Sequence, residues 1–253
     1  MTSTARWRRM EENEEDFFSI WSEVEDRREV LILWNRNFPG DPVFNHATRI
    51  SCLEAEAEVV INYVLSKFTA EELAACFYVS ALTRPQTFEE LLPPRGLRLF
   101  DDMKVMEFMG YEKLVHQRDV ETVKGVSSSI WARVFNEAFR IPRAWRKEVA
   151  RRCSRLASDP RVALFAAYLE SKPVGTLALH SEKGVSGIYC VGTVPEWRRR
   201  GVASALLRSA VAESQRMGNE IICLQTLGQD QLERFYRGNG FSTAFSRRIY
   251  LSG

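Results

Sequence analysis

The stretch "PEWRRRGVASALL", residues 195–207, sets Arg198, Arg199 and Arg200 directly against Gly201, where an apolar run of helical spacing begins. The first turn of a helix leaves about four N–H groups without partners and carries roughly half a positive charge. An anion placed there satisfies both. Gly201 and the small Ala203 let a ligand come close to the backbone, and the arginines add full charges that a neutral ligand would not require. A pyrophosphate suits that chemistry better than a carboxylate. Further on, "LERFYRGNGF" carries Tyr236, whose phenol, with a reference pKa of about 10, can donate a proton or a hydrogen bond, or simply complete the apolar side of its helix. The remaining reactive residue types are dispersed. Cys52, Cys76, Cys153, Cys190 and Cys223 form no C-x-x-C pair and mostly sit in apolar runs, where a thiol behaves as a small hydrophobe. Cys190 is accordingly read as a core residue and not a nucleophile. His46, His116 and His180 lie far apart with no metal-ligand spacing, so no metal site is expected.

Positioning these residues is the task of an alternating pattern. "VGTV", a break, then Ala203, Leu206, Leu207, Ala210 and Val211 followed by "EIICLQT" reads as strand, turn, helix, strand, with the two strands parallel and Gly218 ending the helix. Before that unit, "VSSSIWARVFNEAF" reads as a serine-capped helix and "AWRKEVARRCSRL" as a second one. Three strands follow, joined by "ESKP" and "SEKG", breaks short enough to make neighbours antiparallel. "QDQLERFYRGNGF" reads as a late helix and "STAFSRRIYL" as a last strand. The first half is also mixed α and β. Phe17, Ile20, Trp21 and Val24 have helical spacing behind an acidic "EENEED", and "EVLILWNRNFP" reads as a strand. "CLEAEAEVVINYVLSKF" reads as a helix and "AACFYVSAL" as a buried strand, with a short helix stopped by Pro93, Pro94 and Gly96 before further strands. The division is expected at residues 1–112 and 113–253.

Arg198-x-x-Gly201-x-Ala203 resembles the Q/R-x-x-G-x-G/A signature of the GNAT superfamily of acyl-CoA-dependent N-acyltransferases. The surroundings are similar too: a strand ending in Val194-Pro195 precedes the signature, "IICLQT" follows the helix, and the late helix carries a tyrosine and a Gly-Phe ending. The resemblance covers roughly residues 113 to 253. It implies an α/β (α+β) GNAT fold, with a mixed central sheet whose neighbouring parallel strands splay open, and a smaller GNAT-like, degenerate α/β first half. It further implies acetyl-CoA as cosubstrate, its pantetheine arm on the backbone of Val191 and Thr193 and its pyrophosphate on Arg198, Arg199, Arg200, Gly201, Val202 and Ala203. A bulge near Gly192 would help the strands splay. Tyr236 matches the family's tyrosine near the sulfur. Gln229 stands where many relatives have an asparagine that bonds the cofactor, and "VSGIYCVGTV" lacks the glutamate that many relatives keep as base. His180 and Glu182, near the turn before that strand, are candidates for that role, and solvated turn residues otherwise. Trp34, Phe38, Phe44 and Asn45 read as core and turn residues, or as an approach to the acceptor cavity from a degenerate partner half.

Bulk properties exclude more than they specify. A net charge of +2 over 253 residues offers no global attraction to nucleic acid, so anion preference must be local. No run approaches the about 18 apolar residues of a membrane span, and no secretory apolar core follows the N-terminus. A soluble, cytoplasmic protein is expected, with no nucleic-acid or membrane partner and an open oligomeric state. The resemblance makes an acetyl-CoA-dependent N-acetyltransferase with a small-molecule primary amine the leading expectation. A protein or peptide acceptor, or a non-catalytic acyl-CoA sensor, stands as the alternative.

Overall fold

The computed structural model describes residues 2–111 and 119–253; His116 and the expected division at 112 lie outside them. Thr2 caps the first helix, α1 (Ser3–Ser19), by accepting from the Ala5 N–H. The acidic block does not open this helix as the dipole argument expects. It falls in the middle turns, with Glu11, Glu14 and Glu15 buried, because Glu14 pairs with the buried Arg247. Val24 lies beyond the helix on β1 (Glu23–Asp26), followed by β2 (Leu31–Trp34) and the short β3 (His46–Thr48). Then come α2 (Ala57–Ala70), β4 (Cys76–Ser80) and one long strand, β5 (Leu97–Phe108). Gly96, at φ +80°, ends the 3-10 turns before β5, a left-handed conformation that costs glycine little.

A short strand, β6 (Glu121–Lys124), precedes α3 (Ser128–Ala138), whose cap is Ser127: its hydroxyl accepts from the Ile130 N–H. Helix α4 (Arg146–Ser158) leads into β7 (Val162–Leu169), β8 (Lys172–Glu182) and β9 (Val185–Thr193). Both expected hairpins are present. Their two-residue turns, Glu170-Ser171 and Lys183-Gly184, have positive φ throughout, the backbone twist that matches antiparallel strands. Helix α5 (Val202–Arg216), β10 (Ile221–Thr226), the brief α6 (Glu233–Arg237) and β11 (Phe241–Ser252) complete the chain.

Two compact units result, and they are not consecutive in sequence. The first comprises Met1–Val105, Thr226–Glu233 and Thr243–Gly253, the second Met106–Gln225 and Arg234–Ser242. In the first, strands run in the order β1-β2-β3-β4-β11-β5, with β11 antiparallel to β4. Its core joins Ile32, Ala47, Phe77 and Phe88 to the buried face of α2, Val60, Ile61, Val64 and Phe68. In the second, the order is β10-β9-β8-β7-β6, antiparallel except for the parallel β9–β10 pair. Leu177, Leu179, Ile188, Ile222 and Leu224 form its core with Val202, Leu206, Leu207 and Ala210 of α5.

Candidate active site

The site is built from the parallel pair and the helix that connects it. Register between β9 and β10 runs from Ile221 opposite Val185 to Leu224 opposite Ile188. Residues 189–193 continue β9 beyond that last pair, so the two strands part at this point. The cause lies on the other edge of β9. Ala178 opposes Tyr189 and Thr176 opposes Gly192, which leaves Cys190 and Val191 facing Leu177 alone. This is a β-bulge, which bends a strand and disrupts its ladder. Cys190 takes the left-handed φ of +54°, and the Thr176 hydroxyl donates to its carbonyl at 3.1 Å. The irregularity thus sits just before Gly192. Gly192 has its own constraint: a Cβ there would stand 2.6 Å from the Phe139 ring and 3.0 Å from Ala138, so only glycine lets α3 approach this closely.

The turn between β9 and α5 is the second component. Arg199 has φ +62° and Gly201 φ +81°, and no side chain caps α5. The first intrahelical bond is Ala205 N–H to the Gly201 carbonyl at 3.0 Å. The N–H groups of Val202, Ala203 and Ser204 therefore open the helix without helical partners, as a phosphate seat requires. The three arginines divide their work. Arg198 turns inward, donating from Nε to the Thr193 carbonyl and from Nη2 to the Ala138 carbonyl, both at 3.1 Å. It ties the end of β9 to α3. Arg200 lies 4.8 Å over the Trp197 ring and 3.3 Å from Glu170, and Arg199 is exposed. Beneath the turn, Gly175 makes room on β8: a Cβ there would stand 2.5 Å from Val202.

Tyr236 is 6 % exposed, its ring set in the core with Leu206, Leu207, Leu224 and Phe241. The helix that carries it is shorter than the apolar spacing suggests. Gly228–Asp230 form a 3-10 turn, Gln231 takes φ +54°, and only Glu233–Arg237 are helical. Gln229 falls in the first unit, where its backbone N–H donates to Asp101 at 3.4 Å. Val191 and Thr193 stand half-buried on the parted length of β9.

Neither suggested base stands opposite the parted length of β9, and only Glu182, part-exposed at the end of β8, adjoins the turn. His180 is fully buried on β8 opposite Gly187, in the closed part of the sheet, and Glu182 pairs with Arg161 at 2.9 Å. Burial pushes the Cys190 thiol well above its ordinary range, consistent with a core residue. Gln225 escaped the sequence reading. Its side-chain Nε2 is buried and has no hydrogen-bond partner among the described residues; the only signal was an amide at the end of the apolar "IICLQT". Trp34, Phe38, Phe44 and Asn45 serve the first unit. Phe38 and Phe44 pack against Trp21, Asn45 bonds the Asn35 N–H and the Phe38 carbonyl, and Trp34 stacks under Lys67.

Residues 129–241, which include the βαβ unit and Tyr236, match the model of the acetyltransferase (GNAT) family. Over those residues, 129–241, the chain matches a GNAT domain. Solved structures agree on the fold. A GCN5-related N-acetyltransferase from Kribbella flavida superposes with TM-score 0.71 at 16% identity, covering 100% of this chain and 96% of that one. One from Sphaerobacter thermophilus gives 0.67 at 16% identity, covering 88% and 76%. A tandem GNAT protein from the clavulanic acid biosynthesis pathway gives 0.60 at 8% identity, covering 82% and 74%. No curated protein matches the chain in sequence. Among the described residues, no cluster of His, Cys, Asp and Glu could hold a metal ion, and no helix is long and apolar enough to cross a membrane.

Proposed function

We propose that the GNAT domain binds acetyl-CoA and transfers its acetyl group to the primary amine of a small molecule, by direct attack in a ternary complex. The observation that carries this reading is one βαβ unit in which a parallel pair parts just where a bulge begins, and whose helix opens with uncapped N–H groups beside arginines. An extended pantetheine arm fits the open edge of β9 as an added strand, on the backbone of Val191 and Thr193. The pyrophosphate fits the amides of residues 199–203, with Arg199 and Arg200 supplying charge. Arg198 holds the turn from within. The neutral amine attacks the thioester carbonyl, a β9 backbone N–H stabilises the oxyanion, and the C–S bond breaks as the N–C bond forms. Tyr236 protonates the departing thiolate, and the amine's surplus proton passes to water, which returns one to the Tyr236 phenolate.

Thiol release from acetyl-CoA, followed with a panel of amines, tests the reading, with CoA affinity measured in parallel by calorimetry. Release that depends on an amine is expected. Gly201→Glu, which sets a carboxylate at the phosphate seat and a side chain at φ +81°, should abolish both binding and release. Wild-type CoA binding without thiol release would favour a sensor, and unchanged affinity in Gly201→Glu would refute this placement of the pyrophosphate.

A further inference from the structure

Within the GNAT domain, Ile222 and Leu224 of β10 pack into the core beneath α5. Side chains alternate across a strand, so Cys223 and Gln225 face the opposite side of the sheet. Gln225 stands one position past the last β9–β10 pair, Leu224 with Ile188, which puts Tyr189 across the opening from it. On this face the two strands offer Gly187, Tyr189, Cys223 and Gln225. None is charged. The one strong side-chain donor among them turned toward no protein acceptor is the Gln225 amide, its Nε2 buried without a partner among the described residues. A buried donor left unmade costs free energy, whereas removing it in favour of an apolar group of similar shape does not. An amide in that state at the mouth of the parted strands is available to a ligand that binds there.

We propose that Gln225 recognises the acceptor: its Nε2–H donates to a neutral oxygen of the acceptor beside the amine that is acetylated. The inference rests on the acyl-transfer reading. It names the substrate class as α-amino carbonyl compounds, of which amino acid amides are the simplest. A carboxylate in the same place would lie against strands that provide no countercharge, and a plain alkylamine would leave the donor unpaired, the situation against which a hydrogen-bonding site discriminates.

Matched amines isolate this contact: leucinamide against isoamylamine and glycinamide against methylamine, each pair differing by the carboxamide. With acetyl-CoA and the 253-residue chain, and with kcat/KM expressed per neutral amine because the amides are the weaker bases, the amide of each pair should be higher by roughly tenfold or more. Gln225→Leu should erase that ratio by raising KM for the amide, leave KM for acetyl-CoA unchanged, and leave thermal stability equal or higher. Gln225→Asn should restore part of the preference. A merely structural glutamine would instead lower stability on replacement and leave the ratio alone. Equal handling of both members of each pair by the wild type, or a ratio that persists in Gln225→Leu, overturns the proposal. Should the wild type bind CoA yet release no thiol with any amine, the acyl-transfer reading falls by itself. Calorimetric titration of each pair into the CoA-loaded protein then decides: tighter binding of the amide, lost in Gln225→Leu, supports the contact, and equal affinities overturn it.

Discussion

Two buried titratable groups of the first unit pull stability in opposite directions with pH. Glu15 is 8 % exposed, and burial, reinforced by neighbouring Glu11, raises its carboxyl to about 8. Between its ordinary value of 4.5 and 8 the folded chain holds a proton that the unfolded chain has lost, so this group's contribution falls as pH rises. His46 is the reverse. Its ring stacks 3.9 Å from that of Tyr78, and burial lowers it from 6.5 to about 3, so its contribution falls as pH drops through that window. Their effects overlap between pH 4.5 and 6.5 and separate above that. Glu15→Gln should therefore flatten the decline in thermal midpoint between pH 6.5 and 8, and leave a variant more stable than the wild type at pH 8. An unaltered slope in a pH series of thermal melts would show that Glu15 is ionised in the fold. At this scale the candidate turn is visible in the sequence, since Gly201 and the arginines are marked by type and spacing, whereas Tyr236 is marked by the family resemblance. What could not be read was direction. Three adjacent arginines look alike in sequence, yet Arg198 spends its guanidinium on two carbonyls, and only tertiary packing decides which of the three does so.

Elements followed their local signals where turn chemistry and apolar period agreed. Both hairpins, the Ser127 cap and the βαβ order were legible because each depends on residues a few positions apart. The misses have separate physical causes. The acidic block of α1 was read against the helix dipole, whereas it is placed by Arg247, 233 residues from Glu14. β3 and β6 are three and four residues long, too short for alternation to show. The late helix looked continuous, yet Gln231 interrupts it with a left-handed turn. Small residues mark where elements must touch, and Gly175 is the sharpest case. An added methyl would meet Val202 Cγ1 at 2.5 Å, Leu206 Cδ1 at 3.1 Å and the Gly192 carbonyl at 3.2 Å. The first contact alone could be relieved by a rotamer change, but the last is backbone. Gly175→Ala should consequently push the start of α5 away from β8, with a stability loss of about 1–3 kcal/mol and a CoA affinity lowered by roughly tenfold on the proposed phosphate seat. Wild-type values of both in calorimetry and thermal melts would mean that α5 can shift without cost.

The two units repeat a motif but differ in what the motif leaves open. In the first unit, β3, α2 and β4 also form a parallel βαβ, with Ala47 opposite Phe77. Here parallel pairing resumes beyond the strand ends, at Ser51 and Arg84. Arg84 N–H bonds the Ile50 carbonyl at 3.0 Å and Cys52 N–H bonds the Arg84 carbonyl at 3.2 Å, carrying parallel pairing past the end of β4. The approach to α2 is closed as well: the Glu56 carboxylate folds back onto the Leu53 N–H at 2.9 Å, and Glu54 and Glu58 add negative charge. Where the GNAT domain offers unpaired donors and arginines, this unit offers a donor already capped and three carboxylates, which repel a pyrophosphate. The carboxylates are visible in the sequence, but the closure is not, because it depends on one returning side chain and two backbone bonds. One CoA per chain should bind, and calorimetric titration of the intact protein should saturate at that ratio. Gly201→Glu should then remove all binding and not half of it. A ratio of two, or a residual site in that variant, would show that the first unit opens to the carrier despite its closed seam and acidic helix start.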